Sequence, residues 1–141
     1  MIDSLPGIVT FEVDDPDQGD EILFTLPDPF QYELISLTFR FVTEAAGATR
    51  VPLLNVSDTS GILFRVPLGS TQIASKTFDR YVMPIGTTPV QTDGNHWTIP
   101  FPIGVKLLGS WDFSTTTTNK TANDQYSNIR ATFMRWATPT S

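Results

Sequence analysis

The chain of 141 residues has nine basic and fifteen acidic side chains, a formal net charge of −6, and no cysteine. This length suits one domain with its own hydrophobic core, and the lack of cysteine excludes disulfides, thiolate metal sites and a cysteine nucleophile. No apolar run approaches the roughly 20 residues that span a bilayer. Charged residues make up 17% of the chain, below the roughly 25% typical of soluble domains. We expect a single domain over 1–141, no membrane contact, and a surface that favours contact with other proteins.

Charge is distributed unevenly along the chain. Nine acidic and no basic residues lie between Met1 and Glu33, whereas the remainder holds six acidic and nine basic residues. Phosphate binding needs clustered Lys and Arg, so this segment disfavours nucleic acid as a partner and suits docking onto a basic protein surface. The simpler interpretation is that the acidic run 14–21 is a solvated turn. Residues Met1–Ser4 lack the basic and apolar regions of a signal peptide, which predicts synthesis without export.

The first half of the chain alternates between apolar and polar residues with the period of a β-strand. A strand is predicted at Gly7–Val13, and a second at Glu21–Leu26 ends before two prolines. The strand Tyr32–Thr43 has the clearest alternation. Its inward-facing residues are predicted to be Ile35, Leu37, Phe39 and Phe41. The segments Arg50–Val56 and Gly61–Val66 flank the turn Ser57–Ser60 and predict a hairpin.

The second half continues the pattern, with longer connections. A strand is predicted within Thr71–Met83, followed by a polar connection from Gly86 to Asn95. Further strands are predicted at 97–101 and 105–113, and the threonine run 115–118 continues or ends the second of these. The closing strand is predicted at Ile129–Trp136. In this strand, Ile129, Ala131 and Phe133 oppose Arg130, Thr132 and Met134.

The predicted elements amount to eight or nine strands, with turn signals at the spacing of sandwiches and barrels. Eight strands in two antiparallel sheets are the number of a jelly roll. A parallel sheet would need helical crossovers, and the chain shows no convincing helical period. We therefore predict an all-β fold, an antiparallel, jelly-roll-like β-sandwich of about eight strands.

Residues for catalysis or metal binding are sparse. His96 is the single histidine and lies at a predicted strand edge, whereas general-base and triad chemistry needs further partners. The acidic residues concentrate in one turn, unlike the separated carboxylates of a glycosidase. Their spacing differs from that of an EF-hand, and Pro16 restricts how the chain can wrap an ion. No glycine-rich phosphate cradle is present. We predict a protein that is not an enzyme, with no catalytic residue, no metal and no cofactor.

The aromatic residues suggest an interface. Trp97, Trp111 and Trp136 could line a sugar-binding face, but tryptophan in a sandwich is more often part of the core or of a subunit interface. We therefore select Trp97, Arg135 and Trp136 as interface candidates.

Two stretches carry a resemblance to a known class of proteins. LISLTFRFVTEAAGATRV, from Leu34 to Val51, and ANDQYSNIRATF, from Ala122 to Phe133, resemble small β-rich structural proteins of tailed bacteriophages. The resemblance implies a virion component such as a capsid decoration (cement) protein, or a collar or tail accessory. It also implies that Arg50 and Asp124 occupy structurally important turns; the alternative is that both are exposed turn residues.

These observations lead to one function hypothesis and its rivals. The first is a bacteriophage virion protein, made in the host cytoplasm, that forms a homotrimer and decorates the capsid by binding the major capsid protein. It is expected to bind neither nucleic acid nor membrane. A collar, tail or head-fibre accessory is the nearest alternative. A carbohydrate-binding module that presents exposed tryptophans is the next, and a small hydrolase with converging carboxylates is the third.

Overall fold

The computed structural model describes residues 7–69, 71–86 and 88–137, and within these ranges it contains eleven strands and no helix. The segment Met1–Ser4, on which the expectation of no export depends, lies outside them. In the described part of the chain there is no helix that could cross a membrane. The strands are β1 (Gly7–Val13), β2 (Leu23–Thr25), β3 (Phe30–Val42), β4 (Val51–Asp58), β5 (Gly61–Pro67), β6 (Thr77–Met83), β7 (Val90–Asp93), β8 (His96–Pro100), β9 (Leu107–Leu108), β10 (Asp112–Thr118) and β11 (Gln125–Ala137).

The strands form two sheets with the connectivity of a jelly roll. One sheet has the order β1-β11-β3-β6-β8-β7, with β9 also paired to β3, and the other has the order β2-β10-β4-β5. Without β7, β8 and β9, eight strands remain. In chain order the first pairs with the last, the second with the seventh, the third with the sixth and the fourth with the fifth, all antiparallel. This is the eight-stranded double Greek key of a jelly roll. The predicted all-β sandwich is confirmed.

The core lies between the sheets because alternate residues of each strand point inward. In β11 the predicted inward residues Ile129, Ala131 and Phe133 are all buried. Phe133 meets Phe113 of the four-stranded sheet with ring centroids 5.8 Å apart. Aromatic contacts of this kind join the two sheets, and burying such side chains is the main favourable term in folding.

A β-bulge in β3 overturns one predicted face. Opposite the consecutive residues Thr132 and Phe133 of β11 lie Ser36 and Leu34, so that Ile35 is the extra residue. The bulge shifts the alternation by one position. Leu34 is 3% exposed and Ile35 is 38% exposed. The prediction that Ile35 faces inward is therefore wrong, whereas Leu37, Phe39 and Phe41 are buried as predicted.

In two segments of the second half of the chain, the strands begin and end at other residues than predicted. The predicted polar connection Gly86–Asn95 contains β7, which pairs with β8 as a hairpin, because a short turn at 94–95 brings the two together. The predicted strand 105–113 is broken at Gly109, where a β-carbon would lie 2.4 Å from an Asp28 carboxylate oxygen. The break sends β9 to the seven-stranded sheet and β10 to the other. The threonine run 115–118 continues β10.

The bulge in β3 leads to a test by matched truncations. Leu34→Ala removes buried methyl groups and should lower the free energy of unfolding by about 2–5 kcal/mol. Ile35→Ala should lower it by less than ~1 kcal/mol, because Ile35 points away from the core and is partly exposed to solvent. Urea unfolding followed by tryptophan fluorescence measures both values. Equal losses for the two variants would contradict the bulge.

Candidate functional site

Arg50 and Asp124 form a fully buried ion pair at one end of the sandwich. Arg50 Nε donates to Asp124 Oδ2 at 2.9 Å, and Arg50 Nη2 donates to Asp124 Oδ1 at 2.9 Å. Both side chains have no solvent exposure. The alternative that they are exposed turn residues is therefore wrong. Arg50 stands just before β4 and Asp124 just before β11, so the pair fixes the entry of a strand into each sheet.

The Asp124 carboxylate holds neighbouring turns together as well. It accepts hydrogen bonds from the backbone N–H groups of Glu44, at 3.0 Å, and Thr121, at 2.9 Å. Burial raises the pKa of Asp124, but the hydrogen bonds from Arg50, Thr121 and Glu44 outweigh it and hold that pKa below its ordinary value. Gly47 completes the packing: it has φ of 102°, and a β-carbon there would lie 2.7 Å from Thr121. This cluster is structural in nature.

A second buried guanidinium, Arg80 of β6, was missed by the sequence analysis. Its Nε donates to the Leu68 carbonyl at 2.8 Å, and its Nη1 donates to the Gln72 side chain at 2.9 Å. Burial lowers the pKa of Arg80 to about 10. The alternation of residues in β6 could have indicated that Arg80 is buried, because Arg80 shares its face of the strand with the buried Val82. Arg80 therefore anchors Leu68 and Gln72 from inside the core.

The structure separates the three predicted interface residues. The Trp97 indole packs against the core, and a β-carbon at Gly69 would lie 3.0 Å from it. Trp97 is in β8, three strands from β11, which carries the other two residues. The Lys106 ammonium lies 4.4 Å from the Trp136 ring centroid. The Arg135 guanidinium lies 4.2 Å from the Phe30 ring. Arg135 and Trp136 are thus neighbours in β11 that each take part in a separate cation–aromatic contact, and Trp97 lies apart from both.

The acidic turn 14–21 combines exposed and inward-facing carboxylates. Asp14 and Asp17 are exposed, in keeping with a solvated turn. Glu21 instead accepts hydrogen bonds from the Thr115 and Thr117 hydroxyls at 2.8 and 2.9 Å, and lies 3.2 Å from the Lys120 ammonium. Part of the negative charge is therefore satisfied within the fold.

His96 lies between two carboxylates on the outer face of the seven-stranded sheet. Its Nδ1 is 2.6 Å from Asp93 Oδ1, and its Nε2 is 3.4 Å from Asp79 Oδ2. The imidazole also stacks on Tyr81, with the ring planes 12° apart. Within the described ranges, no group of three or more His, Cys, Asp or Glu residues is arranged to hold a metal ion. The contacts of His96 place a polar cluster on this face.

The outer face of the four-stranded sheet, which we name the four-stranded face, consists mainly of hydroxyl and aliphatic side chains. Register and burial assign thirteen described positions to it, of which only Arg65 and Asp112 are charged. Large aliphatic side chains on it are exposed, among them Leu23, Val51 and Ile62. The thirteen positions are Leu23, Thr25, Val51, Leu53, Asn55, Ser57, Ile62, Arg65, Pro67, Asp112, Ser114, Thr116 and Thr118.

The opposite outer face of the sandwich is charged. Arg40 donates from Nε to Asp79 Oδ1 at 2.8 Å, and Arg130 lies 3.3 Å from Glu12. The two outer faces therefore differ in chemistry: one presents threonine, serine and aliphatic groups, and the other presents paired charges. Depletion of charge is the compositional mark of an interface core. The four-stranded face is thus the candidate surface for protein contact.

Comparison of the chain with protein-family models, with curated proteins and with solved structures finds no match. Its function is therefore inferred from its own surfaces.

The buried ion pair leads to a test of stability and its pH dependence. Asp124→Asn leaves the Arg50 charge buried without a compensating negative charge, and should lower the free energy of unfolding by about 3–5 kcal/mol. The matched control is Glu33→Gln, which breaks the exposed Lys106–Glu33 pair and should cost less than about 1 kcal/mol.

The pH dependence follows from the lowered pKa of Asp124. The stabilisation is fully present above the ordinary aspartate pKa of about 3.9 and is lost as the pH falls through the lower folded-state value. The difference between wild type and Asp124→Asn should therefore narrow below about pH 4, as measured by urea unfolding across a pH series. A difference that stays constant to pH 2 would contradict this role.

Proposed function

We propose that the chain is a structural protein of a bacteriophage virion, a capsid decoration (cement) protein that forms a symmetric oligomer, most simply a homotrimer, and binds the major capsid protein. The observation that carries the proposal is the four-stranded face, which is built mainly from hydroxyl and aliphatic groups and has two charged residues, Arg65 and Asp112, among its thirteen positions. Desolvating a charge costs free energy unless it finds a partner. A face built from hydroxyl and aliphatic groups avoids that cost when it docks.

The fold supports the same proposal. Double-sheet jelly rolls occur in viral capsid proteins, although they also occur in lectins and cupins, so the fold alone does not define a function. The chain adds a surface suited to protein contact and the resemblance of Leu34–Val51 and Ala122–Phe133 to phage structural proteins. Synthesis in the host cytoplasm and residence in the virion belong to this proposal.

The size of the four-stranded face supports an oligomer. Three strands of seven or eight residues and one of three residues, at ~3.3 Å per residue and ~4.8 Å between strands, give a footprint of roughly 400 Å². A stable interface buries about 800 Å² on each partner. One such face alone would bind the capsid weakly. Three faces joined in a trimer would engage a symmetric lattice together, and avidity would multiply the affinity.

The alternative of a carbohydrate-binding module that presents tryptophans has less support. Trp97 and Trp111 pack against the core, and Lys106 lies over Trp136. A collar, tail or head-fibre accessory would use the same kind of face, and it differs from a decoration protein only in its position on the particle. Electron cryomicroscopy of virions distinguishes these positions.

Two exposed aliphatic residues on opposite faces allow a matched test of the docking face. Leu23 in β2 is 64% exposed on the four-stranded face, and Ile8 in β1 is 70% exposed on the opposite face. Leu23→Lys places a charge within the proposed contact and should weaken binding to particles stripped of this protein at least tenfold, which is about 1.4 kcal/mol. Ile8→Lys should bind like the wild type.

The measurement is co-sedimentation of the purified chain with those particles, with light scattering to confirm three chains per oligomer. Equal binding by both lysine variants, or weaker binding by Ile8→Lys, would contradict the docking face. The absence of the chain from purified virions would overturn the proposed function.

A further inference from the structure

We propose that the outer face of the seven-stranded sheet carries a binding site for a neutral carbohydrate, in a groove that crosses β1, β11, β3 and β6. This site lies on the face opposite the proposed docking surface and does not depend on the proposed function. The groove has a volume of about 560 Å³. Sites for small ligands have volumes of about 300–1,000 Å³.

A β-bulge in β11 forms part of the groove. Ser127 pairs with Arg40 and Arg130 pairs with Thr38, so that two residues of β11 stand opposite one residue of β3. One of the two, Asn128, has a positive φ of 54°. Its N–H donates to Asp15 Oδ1 at 3.0 Å, which fixes the neighbouring loop. Bulges and left-handed residues occur often beside binding sites, where they redirect side chains.

Two polar side chains of the groove, Arg40 and Asp79, hold each other in place before any ligand binds. Arg40 donates to both carboxylate oxygens of Asp79, at 2.8 and 3.2 Å. Asp79 also lies 3.4 Å from His96, whose ring stacks on Tyr81. Side chains that are already ordered lose little conformational entropy when a ligand binds.

The charges in the groove favour a neutral ligand. Arg40 is paired with Asp79, and Arg130 is paired with Glu12. With Asp15, the lining carries three acidic and two basic residues, so its net charge is close to zero. A charged ligand would therefore gain little from the local field, whereas a ligand with many hydroxyl groups fits, because each hydroxyl both donates and accepts. A paired guanidinium and carboxylate offer a donor and an acceptor side by side.

The aromatic ring in the groove narrows the ligand class further. Tyr81 lines the groove, and its cross-strand partner Thr38 lines it as well. An aromatic ring gives an apolar contact surface and a phenolic hydroxyl at the same site. Sugar rings combine an apolar C–H face with polar edges, which matches this arrangement. The volume is suitable for one or two sugar rings.

The test begins with the unmodified protein. A glycan array that includes neutral and acidic sugars should show binding to neutral glycans. Titration of ¹⁵N-labelled protein with lactose, maltose and cellobiose should then shift the amide signals of Thr38, Arg40, Tyr81 and Asn128. No binding on the array, binding to acidic glycans alone, or shifts centred on another surface would each overturn the proposal.

Variants test the assigned contacts. Tyr81→Ala should weaken binding of the best disaccharide at least tenfold, and Tyr81→Phe, which keeps the ring, should stay within threefold of wild type. Arg65→Ala changes an exposed arginine on the four-stranded face and should leave sugar binding unchanged.

Amide spectra verify that each variant folds, and if Tyr81→Ala does not fold, the shift map of the wild type decides the outcome. Loss of affinity in Arg65→Ala equal to that in Tyr81→Ala would overturn the site. Unchanged particle binding by a folded Tyr81 variant would separate this site from the docking face.

Discussion

Successive side chains of a β-strand point to opposite faces, and this constraint governs both the core and the surfaces of the protein. In β11, Ile129, Ala131 and Phe133 fill the space between the sheets, while Arg130 and Thr132 face outward. Each strand of the jelly roll therefore contributes one set of residues to stability and the other to an exposed face. The chemistry of those exposed faces differs, because the outward positions of the two sheets carry different residue types.

Local patterns in the sequence were sufficient for much of the fold. The strand Gly7–Val13, the hairpin around Ser57–Ser60 and the inward residues of the closing strand follow from alternation and turn residues, and the structure agrees with them. Bulges do not leave such a signature. The extra residue in β3 reverses the face of Ile35, because its position depends on the partner strand, which the local pattern does not specify.

The candidate sites were harder to predict for the same reason. The four-stranded face brings together residues from 23 to 118, so its low charge appears only when strand neighbours are known. Sequence analysis selected Trp97 with Arg135 and Trp136, but sheet order separates them. The groove near Tyr81 likewise depends on four strands from both ends of the chain. Long-range pairing, not residue type, defines these surfaces.

Buried charged residues fix the positions of turns at the ends of the two sheets. Arg50 and Asp124 are far apart in sequence, yet they form two hydrogen bonds with each other inside the protein, and Arg80 donates to neutral oxygens of Leu68 and Gln72. Partly paired buried charges are costly, so such groups impose one arrangement on the turns around them. The ends of the sandwich thereby gain order that hydrophobic packing alone would not impose.

The packed core, in which Phe113 contacts Phe133, keeps the two outer faces of the sandwich apart, so that each face can evolve separately. The two outer faces are separated by a packed interior about 10 Å thick, and substitutions at distant sites without shared partners have nearly additive effects. One face can therefore diversify under selection while the other is kept constant. A lineage that retains one partner could in this way acquire new specificities on the opposite side without rebuilding its core.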